Sequence, residues 1–365
     1  MASSGLNFQT LTASNGALTS LKQLIFLSVL GVDKLGSLFN VLPKQKHGDK
    51  AGFVGEFGLM GKKSQGCNPT FGTSTINTGE QTWDIQEWEV AEKICYKDLE
   101  GTLAQTAMRT GTSIADLTGT EYIDDVVYPR LELAIVKMLM RFAFFGDKTA
   151  ATKTNGGILK DGTDKDYFNL IDGFFKRIYT LVATNPERHT AIAANAAATF
   201  AAQKTAIRQA GAATDVMDDL ISDAPAVLRQ SAGQVIYITM AFKDALDRDI
   251  KKNNKGSELQ WESLFAGIKK TQYNGIDVVV IPFLDEIIQS YECGATDDNG
   301  NQVAFNKPYR AIYTIKDNLL VGLESESEIA DIQIWFNQDE QVNKILAKDK
   351  IGTMIAQDDL IQAAY

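Results

Sequence analysis

The sequence predicts an α+β fold with a protruding two-stranded arm, on three observations. Candidate helices and strands segregate along the chain instead of alternating strand, helix, strand. Eight glycines fall within the 32 residues from Gly48 to Gly79, several times the usual ~7%. A long apolar helical stripe follows one strand later, from about Gly119 to Phe145.

Residues 1–20 are small and polar, a tail composition, and Leu21, Leu24, Ile25, Leu30, Leu35, Leu38 and Phe39 then recur at loosely helical spacing. That pattern predicts an arm lying on an apolar surface. Pro43 to Lys50 reads as a polar turn. The glycine-rich stretch beyond it is too long for an ordinary loop between core elements. An isolated hairpin is marginal in water, so a glycine-rich arm must find its partner surface on another chain. From Trp83 to Tyr96 the pattern alternates, with Trp88, Val90, Ile94 and Tyr96 on one parity and Glu87, Glu89 and Lys93 on the other, as in a half-exposed strand.

In the helical stripe, Ile123, Val126, Val127, Leu131, Ile135, Met138, Leu139 and Phe142 are spaced by three and four, the signature of a helix buried along one face. Twenty-seven residues at 1.5 Å each would make a spine of roughly 40 Å. Pro129 predicts a kink or an early break in it, and Gly146-Asp147 predicts its end. A Gly, Thr and Lys loop runs from Lys148 to Asp166, then a helix is expected over Asn169 to Val182. Twelve alanines between Ala191 and Ala213 favour helix by propensity and predict an added surface helix. Val216–Ile221 reads as helix, Val235–Met240 as a buried β-branched strand, Ala241–Ile250 as helix, Ile276–Pro282 as a second buried strand and Asp285–Tyr291 as a short helix. Asp297 to Asn301 (DDNGN) is a hairpin-turn signal. The closing section breaks into short strand or strand-helix candidates at Tyr309–Lys316, Asn318–Glu324, Ala330–Phe336, Glu340–Ala347 and Ile351–Ala356.

A chain of 365 residues that is 44% apolar is long enough for one large core or two intertwined ones. The net charge of −10 is unevenly spread: residues 1–79 carry seven lysines against Asp33, Asp49 and Glu56, a balance of +4, which leaves −14 for the remainder. An acidic body argues against a sequence-reading nucleic-acid protein, which gathers Lys and Arg on one face, and permits one inner surface that tolerates nucleic acid. Cys67, Cys95 and Cys293 are widely separated with no CxxC pair, so a reduced compartment is the default. The most apolar early run, Leu24 to Val32, is well short of the ~18 residues of a membrane span and lacks the flanks of a signal peptide.

No motif supplies chemistry. Gly58 to Ser64 (GLMGKKS) superficially suggests a phosphate loop, but Glu56 stands where that motif needs glycine and Lys63 where it needs Ser or Thr. Lys62 and Lys63 then read as solvated charge at the arm tip or as contacts to a neighbouring subunit. His47 and His189 are the only histidines, each in a polar context without a second ligand at helical spacing. Asp297-Asp298 lacks the alternating carboxylates of a calcium loop. Asp124-Asp125, Asp218-Asp219 and Asp358-Asp359 are adjacent pairs that do not face each other on a helix. No catalytic, cofactor-binding or metal residue is nominated, and no cofactor is expected. Trp83, Trp88, Trp261 and Trp335 read as core or interface anchors. The residues expected to contact another subunit are Gly58, Lys62, Lys63, Trp83, Trp88 and Tyr96.

The order of tail, glycine-rich loop, long helix, mixed centre and strand-rich close resembles the HK97-like major capsid proteins of tailed bacteriophages. The segments carrying the resemblance are FAFFGD at the helix end, QVIYITMAFKDAL, NGIDVVVIPFLDEI and PYRAIYTIKDNLLVGLE. The resemblance implies residues 1–47 as an N-terminal arm and 48–98 as an extended β-hairpin loop. It makes 99–150 with 320–365 a peripheral domain holding the spine helix, and 151–319 an axial domain. It also implies a virion protein assembled in the bacterial cytoplasm, with no enzymatic activity and no membrane contact. Its partners would be copies of itself in hexamers and pentamers, a portal protein, and packaged double-stranded DNA held by non-specific contact. Some relatives carry a cleaved scaffolding segment of about a hundred residues; with only 47 residues ahead of the loop, the expectation here is a separate scaffolding protein and no large maturation cleavage. Some relatives form Lys–Asn crosslinks, and Lys62 and Lys63 lie in a comparable place, but no pattern identifies a partner and the bond is not expected. Two alternatives remain open on the sequence: an encapsulin-like nanocompartment shell, and a cytosolic α+β enzyme with a dimerising arm.

Overall fold

The computed structural model describes residues 38–57, 63, 76–95, 118, 127–253, 259–265, 268–324 and 332–365. Two larger sheets and one hairpin organise them. The five-stranded sheet is built around Val342–Ile355, a single 14-residue strand. One edge of that strand carries Gln86–Cys95 along residues 342–351. Its other edge is shared end to end by Ile332–Asn337 and Leu319–Leu323, and Asn40–Leu42 pairs in parallel with the outer side of Leu319–Leu323. The two closing segments expected as separate pieces, Glu340–Ala347 and Ile351–Ala356, are thus one strand. The polar KDK between them passes along the ladder with Lys348 and Lys350 in ion pairs to Glu89 and Glu324, and pairing overrides the local turn signal.

The seven-stranded sheet runs His189–Thr190, Ile361–Ala364, Ala311–Ile315, Gln234–Ile238, Ile276–Val280, Ile268–Tyr273, Glu262–Phe265. Both faces of its centre are covered. Val235, Tyr237, Val279 and Ile312 pack into the core that holds the spine helix. Ile236, Ile238, Val278, Val280 and Tyr313 pack into a second core under the helices Ala212–Ser222 and Met240–Asn253. Burial on both faces is why VIYI and VVV are uninterrupted apolar runs instead of alternating ones. The last strand, Ile361–Ala364, was not anticipated; it joins this sheet beside Ala311–Ile315.

The described spine helix is Tyr128–Phe145, 18 residues, which at 1.5 Å per residue is roughly 27 Å. Pro129 lies in its first turn, where a missing N–H costs nothing, so the proline begins the described helix; residues 119–126 lie outside the described residues. The helix ends at Gly146, as expected, and the glycine is required there. A Cβ on Gly146 would stand 2.4 Å from Ile171 O, and one on Gly173 would stand 2.8 Å from Ala143 O. Those two bare backbones let the next helix, Phe174–Thr184, cross against the spine, with Gly173 N–H donating to Gly146 O at 2.8 Å. At the crossing Phe144, Phe174 and Phe39 meet, with ring centroids 5.5 to 6.0 Å apart. Leu38 and Phe39, the last residues of the expected apolar arm pattern, are therefore in this subunit's own core, and the Tyr237 hydroxyl donates to Leu38 O.

The alanine-rich section is not one surface helix. It breaks into a turn of 3₁₀ helix at Ala193–Ala196, the helix Phe200–Ala206 capped by Thr199 Oγ1, and the helix Ala212–Ser222. Gly211, at φ 85°, separates the last two, and Asp249 receives the N–H groups of Gly211, Ala213 and Thr214. Ile192, Ala194, Ile207 and Ala213 are buried in the second core: small residues let these turns lie close, and a turn in tertiary contact outweighs alanine's helix propensity.

Candidate assembly interface

The glycine-rich stretch contains a two-stranded antiparallel hairpin, Lys50–Phe57 against Ile76–Thr82, with a register shift between Val54 and Phe57. Among the described residues it joins neither larger sheet. Its mount on the body is specific. Gly48 N–H donates to Trp83 O at 2.9 Å and Trp83 N–H to Asp49 O at 2.8 Å, closing the base of the hairpin. Lys50 and Glu80 pair just above the base, both exposed.

Trp83 and Ile85, between the hairpin and the strand Gln86–Cys95, lie against the five-stranded sheet at a point where it has no side chains. Gly322 and Gly352 are register partners there. A Cβ on Gly322 would be 2.8 Å from the Trp83 ring, and one on Gly352 would be 2.7 Å from Ile85 Cγ1. Between them, Asp84 turns outward to Lys148 at the end of the spine-helix segment, with His47 Nδ1 3.6 Å away. Burial opposes the charge on Asp84, but hydrogen bonds from Lys148 and Gln86, with the fields of Lys148 and His47, outweigh it and hold the carboxyl below its ordinary range. The arm is thus fastened by an indole in a glycine slot and an ion pair beside it.

Of the six residues expected to meet another subunit, Gly58, Lys62 and Tyr96 lie outside the described residues, and Lys63 is exposed. Trp83 and Trp88 are placed differently from the expectation. They are 1% and 3% exposed, Trp83 in the slot and Trp88 in the main core with the spine helix. The apolar parity of Gln86–Cys95 meets the subunit's own interior because Val342–Ile355 pairs along its whole length. The period-two signal identified the buried face; nothing in it says whose core covers that face.

Among the described residues no group of three or more His, Cys, Asp or Glu could hold a metal ion, and no helix is long and apolar enough to cross a membrane. His189 packs on the Tyr365 ring at 4.1 Å between centroids. Asp297 is occupied by its own turn, accepting from the N–H groups of Asn299 and Asn301 and the side chain of Asn301. Asp359 pairs with Arg188, and Asp218 accepts from the Tyr273 hydroxyl. Sequence reading missed the buried ionic groups. Arg310, 2% exposed, pairs with Glu292 and lies over the Phe175 ring at 4.6 Å. Burial works against its charge, but Glu292 outweighs it and raises the guanidinium's pKa. Asp285 accepts from Met240 and Ala241 N–H at the start of the helix Met240–Asn253, and burial pushes it up to about 6 in spite of those bonds. Arg310 and Asp285 are 25 positions apart and contiguous with apolar runs, so no local pattern marks them.

A long helix sharing one core with both sheets and a hairpin arm rooted on the five-stranded sheet belong to an HK97-like capsid fold. Solved capsid structures share it. The chain aligns with the capsid of a native GTA particle at a TM-score of 0.51 and 12% identity, over 96% of this chain and 94% of that one. It aligns with the procapsid of satellite phage P4 that includes the size determination (Sid) protein at a TM-score of 0.50 and 10% identity, over 90% of this chain and 85% of that one. The holo-SrpI encapsulin complex of Synechococcus elongatus aligns at 0.45 and 8% identity, over 90% and 85%. No protein-family model matches the chain, and no curated protein matches it by sequence.

Proposed function

We propose that the chain is a major capsid protein that assembles as hexamers and pentamers into an icosahedral shell around double-stranded DNA, a mechanical role without catalysis. The observation that carries this is the hairpin arm: its two strands join no other sheet of the subunit among the described residues, yet its base is held by buried tryptophan, an ion pair and two backbone hydrogen bonds. A two-stranded ribbon is marginal alone, and a firm mount on a free ribbon suits an arm that lies on a neighbouring copy. Copies in five- and sixfold settings make non-identical contacts, and glycine gives the ribbon the tolerance they need. In this reading residues 151–319 form the axial domain at the ring centres, joined by the C-terminal strand, and 99–150 with most of 320–365 form the peripheral domain. The acidic body faces outward and the basic first 79 residues soften repulsion from packaged DNA. A separate scaffold and a portal complete the assembly, inside the bacterial cytoplasm, and the finished protein resides in the virion.

The test is electron microscopy with light scattering on the full chain, expressed alone and with its neighbouring genes. Closed shells holding DNA support the proposal, shells holding enzyme cargo favour the nanocompartment reading, and a stable monomer or dimer under both conditions overturns both.

A further inference from the structure

A cavity of about 560 Å³ opens where the end of the spine helix, the helix Phe174–Thr184 and the Asn306-Lys307 loop converge. Phe145, Leu159 and Phe168 form apolar wall, while Tyr179, Glu292 and Lys307 bring polar groups to it. The charges there do not cancel. Lys176 is 3.0 Å from Asp147, and Arg310 is paired with Glu292, which leaves Lys307. Its amine rests on the faces of Tyr365 and Tyr179, 4.0 and 4.4 Å from the ring centroids, and no carboxylate of the described residues lies within ion-pair distance of it. An ammonium held on two ring faces without an anion beside it gains from a charge-assisted hydrogen bond to an added acceptor.

Lys307 is also held in place. Its backbone is left-handed, at φ 44°, although the next residue is Pro308, which disfavours that region. Arg310 fastens the turn by donating from Nε to Lys307 O and from Nη2 to Asn306 O, both at 2.8 Å. Strain of this kind persists only where surrounding structure enforces it. Here a buried guanidinium enforces it and aims the lysine.

We infer that this cavity binds a monocarboxylate with an apolar body, its oxygens taking hydrogen bonds from Lys307 Nζ. A single uncompensated cation suits one negative charge, and Glu292 and Asp147 in the wall disfavour a dianion such as phosphate. The volume is that of an ordinary small-molecule site, and its apolar wall suits an aromatic or branched aliphatic body. Burial and the neighbouring Arg310 push the Lys307 amine down to about 8, against the pull of Glu292, so it is cationic at neutral pH and gains from a counter-charge. The carboxylate is either a free small molecule or an acidic side chain of a second copy; only the latter source rests on the shell reading.

Calorimetric titration of the full chain with benzoate, against benzamide as a neutral body of the same shape, tests the site. Benzoate is expected to saturate one site per subunit and benzamide to bind about tenfold more weakly or less. Lys307→Gln should lose about tenfold in benzoate affinity with unchanged far-ultraviolet circular dichroism. Binding to subunits and to closed particles alike assigns the site to a free ligand; binding to subunits alone assigns the carboxylate to a neighbouring copy. Equal affinity for benzoate and benzamide, an unaltered Lys307→Gln variant, or no saturable binding to subunits overturns the inference and leaves the shell reading untouched.

Discussion

Gly322 and Gly352 face each other across adjacent antiparallel strands, and the space of their two missing side chains is filled by Trp83 and Ile85 from the root of the arm. Glycine weakens a strand interior, so a cross-strand pair of them is destabilising unless something packs into the gap. The arm root does so, and the sheet and the arm are thereby one mechanical unit.

Gly322→Ala tests that coupling. The new methyl meets an indole ring boxed in by Leu320 and Met354, which cannot swing aside as a flexible chain end could. Overpacking of this kind costs about 1–3 kcal/mol. The subunit should unfold at a lower temperature in calorimetry, and Trp83 emission should shift toward that of exposed indole. An unchanged melting temperature would mean that the slot is looser than its geometry indicates.

Excising residues 51–81 and joining Lys50 to Thr82, which are register partners, through a two-residue Asn-Gly turn should leave the body intact. Among the described side chains of that stretch, Ala51 alone packs on a core cluster, that of Trp83. Soluble subunits with native circular dichroism that form no closed shells under the electron microscope are expected. Intact shells from this variant would remove the arm from the assembly account.

Arg310 and Glu292 should behave as a pair. Arg310→Met leaves an uncompensated carboxylate in the core, and losses of this kind run to about 3–5 kcal/mol. The double variant Arg310→Met with Glu292→Leu should recover much of that loss in urea denaturation, since a buried ion pair often does no better than apolar residues of similar volume. Strictly additive losses would show that the two side chains act independently.

Asp285 gives the fold a pH dependence of defined sign. Its folded pKa of about 6 stands above the ordinary carboxylate value of about 4, so the folded state holds the extra proton between those limits. The stability from this group is complete below about pH 4 and is lost as pH rises through about 6, by an amount on the order of 2–3 kcal/mol. Asp285→Asn should flatten that part of the curve while still capping Met240–Asn253, since asparagine also accepts at a helix start. Urea midpoints of both proteins from pH 4.5 to 7.5 measure it; parallel curves would assign the pH dependence elsewhere.

Much of this fold is legible in local patterns because local chemistry enforces it. The run VIYI is a strand because β-branched residues on both parities need a sheet covered on both faces. FAFFGD ends a helix because Gly146 is the only residue whose backbone can lie against Ile171 and Gly173. The arm was legible from its glycines. What misled was equally local: alanine content suggested one helix over 191–213, where packing against the second core and the Gly211 turn made three short pieces. In the same way, the polar KDK at 348–350 suggested a break in what is a continuous strand.

By itself, the sequence determined the class of fold, the buried strands at 235–240 and 276–282, the end of the spine helix and a glycine-rich arm, since periodicity and glycine placement act over a few residues; the strands Glu262–Phe265, Ile268–Tyr273 and Ile361–Ala364 carry no such local signal. Tertiary structure alone decided whose surface each apolar face meets. Trp83 and Trp88 face inward because Gly322, Gly352 and Val342–Ile355 come to them from more than two hundred positions away. It alone also decided that Arg310, Glu292, Tyr179 and Lys307 share one buried neighbourhood. Such contacts arise from the closure of long loops around a common core, and no short stretch of the chain contains them.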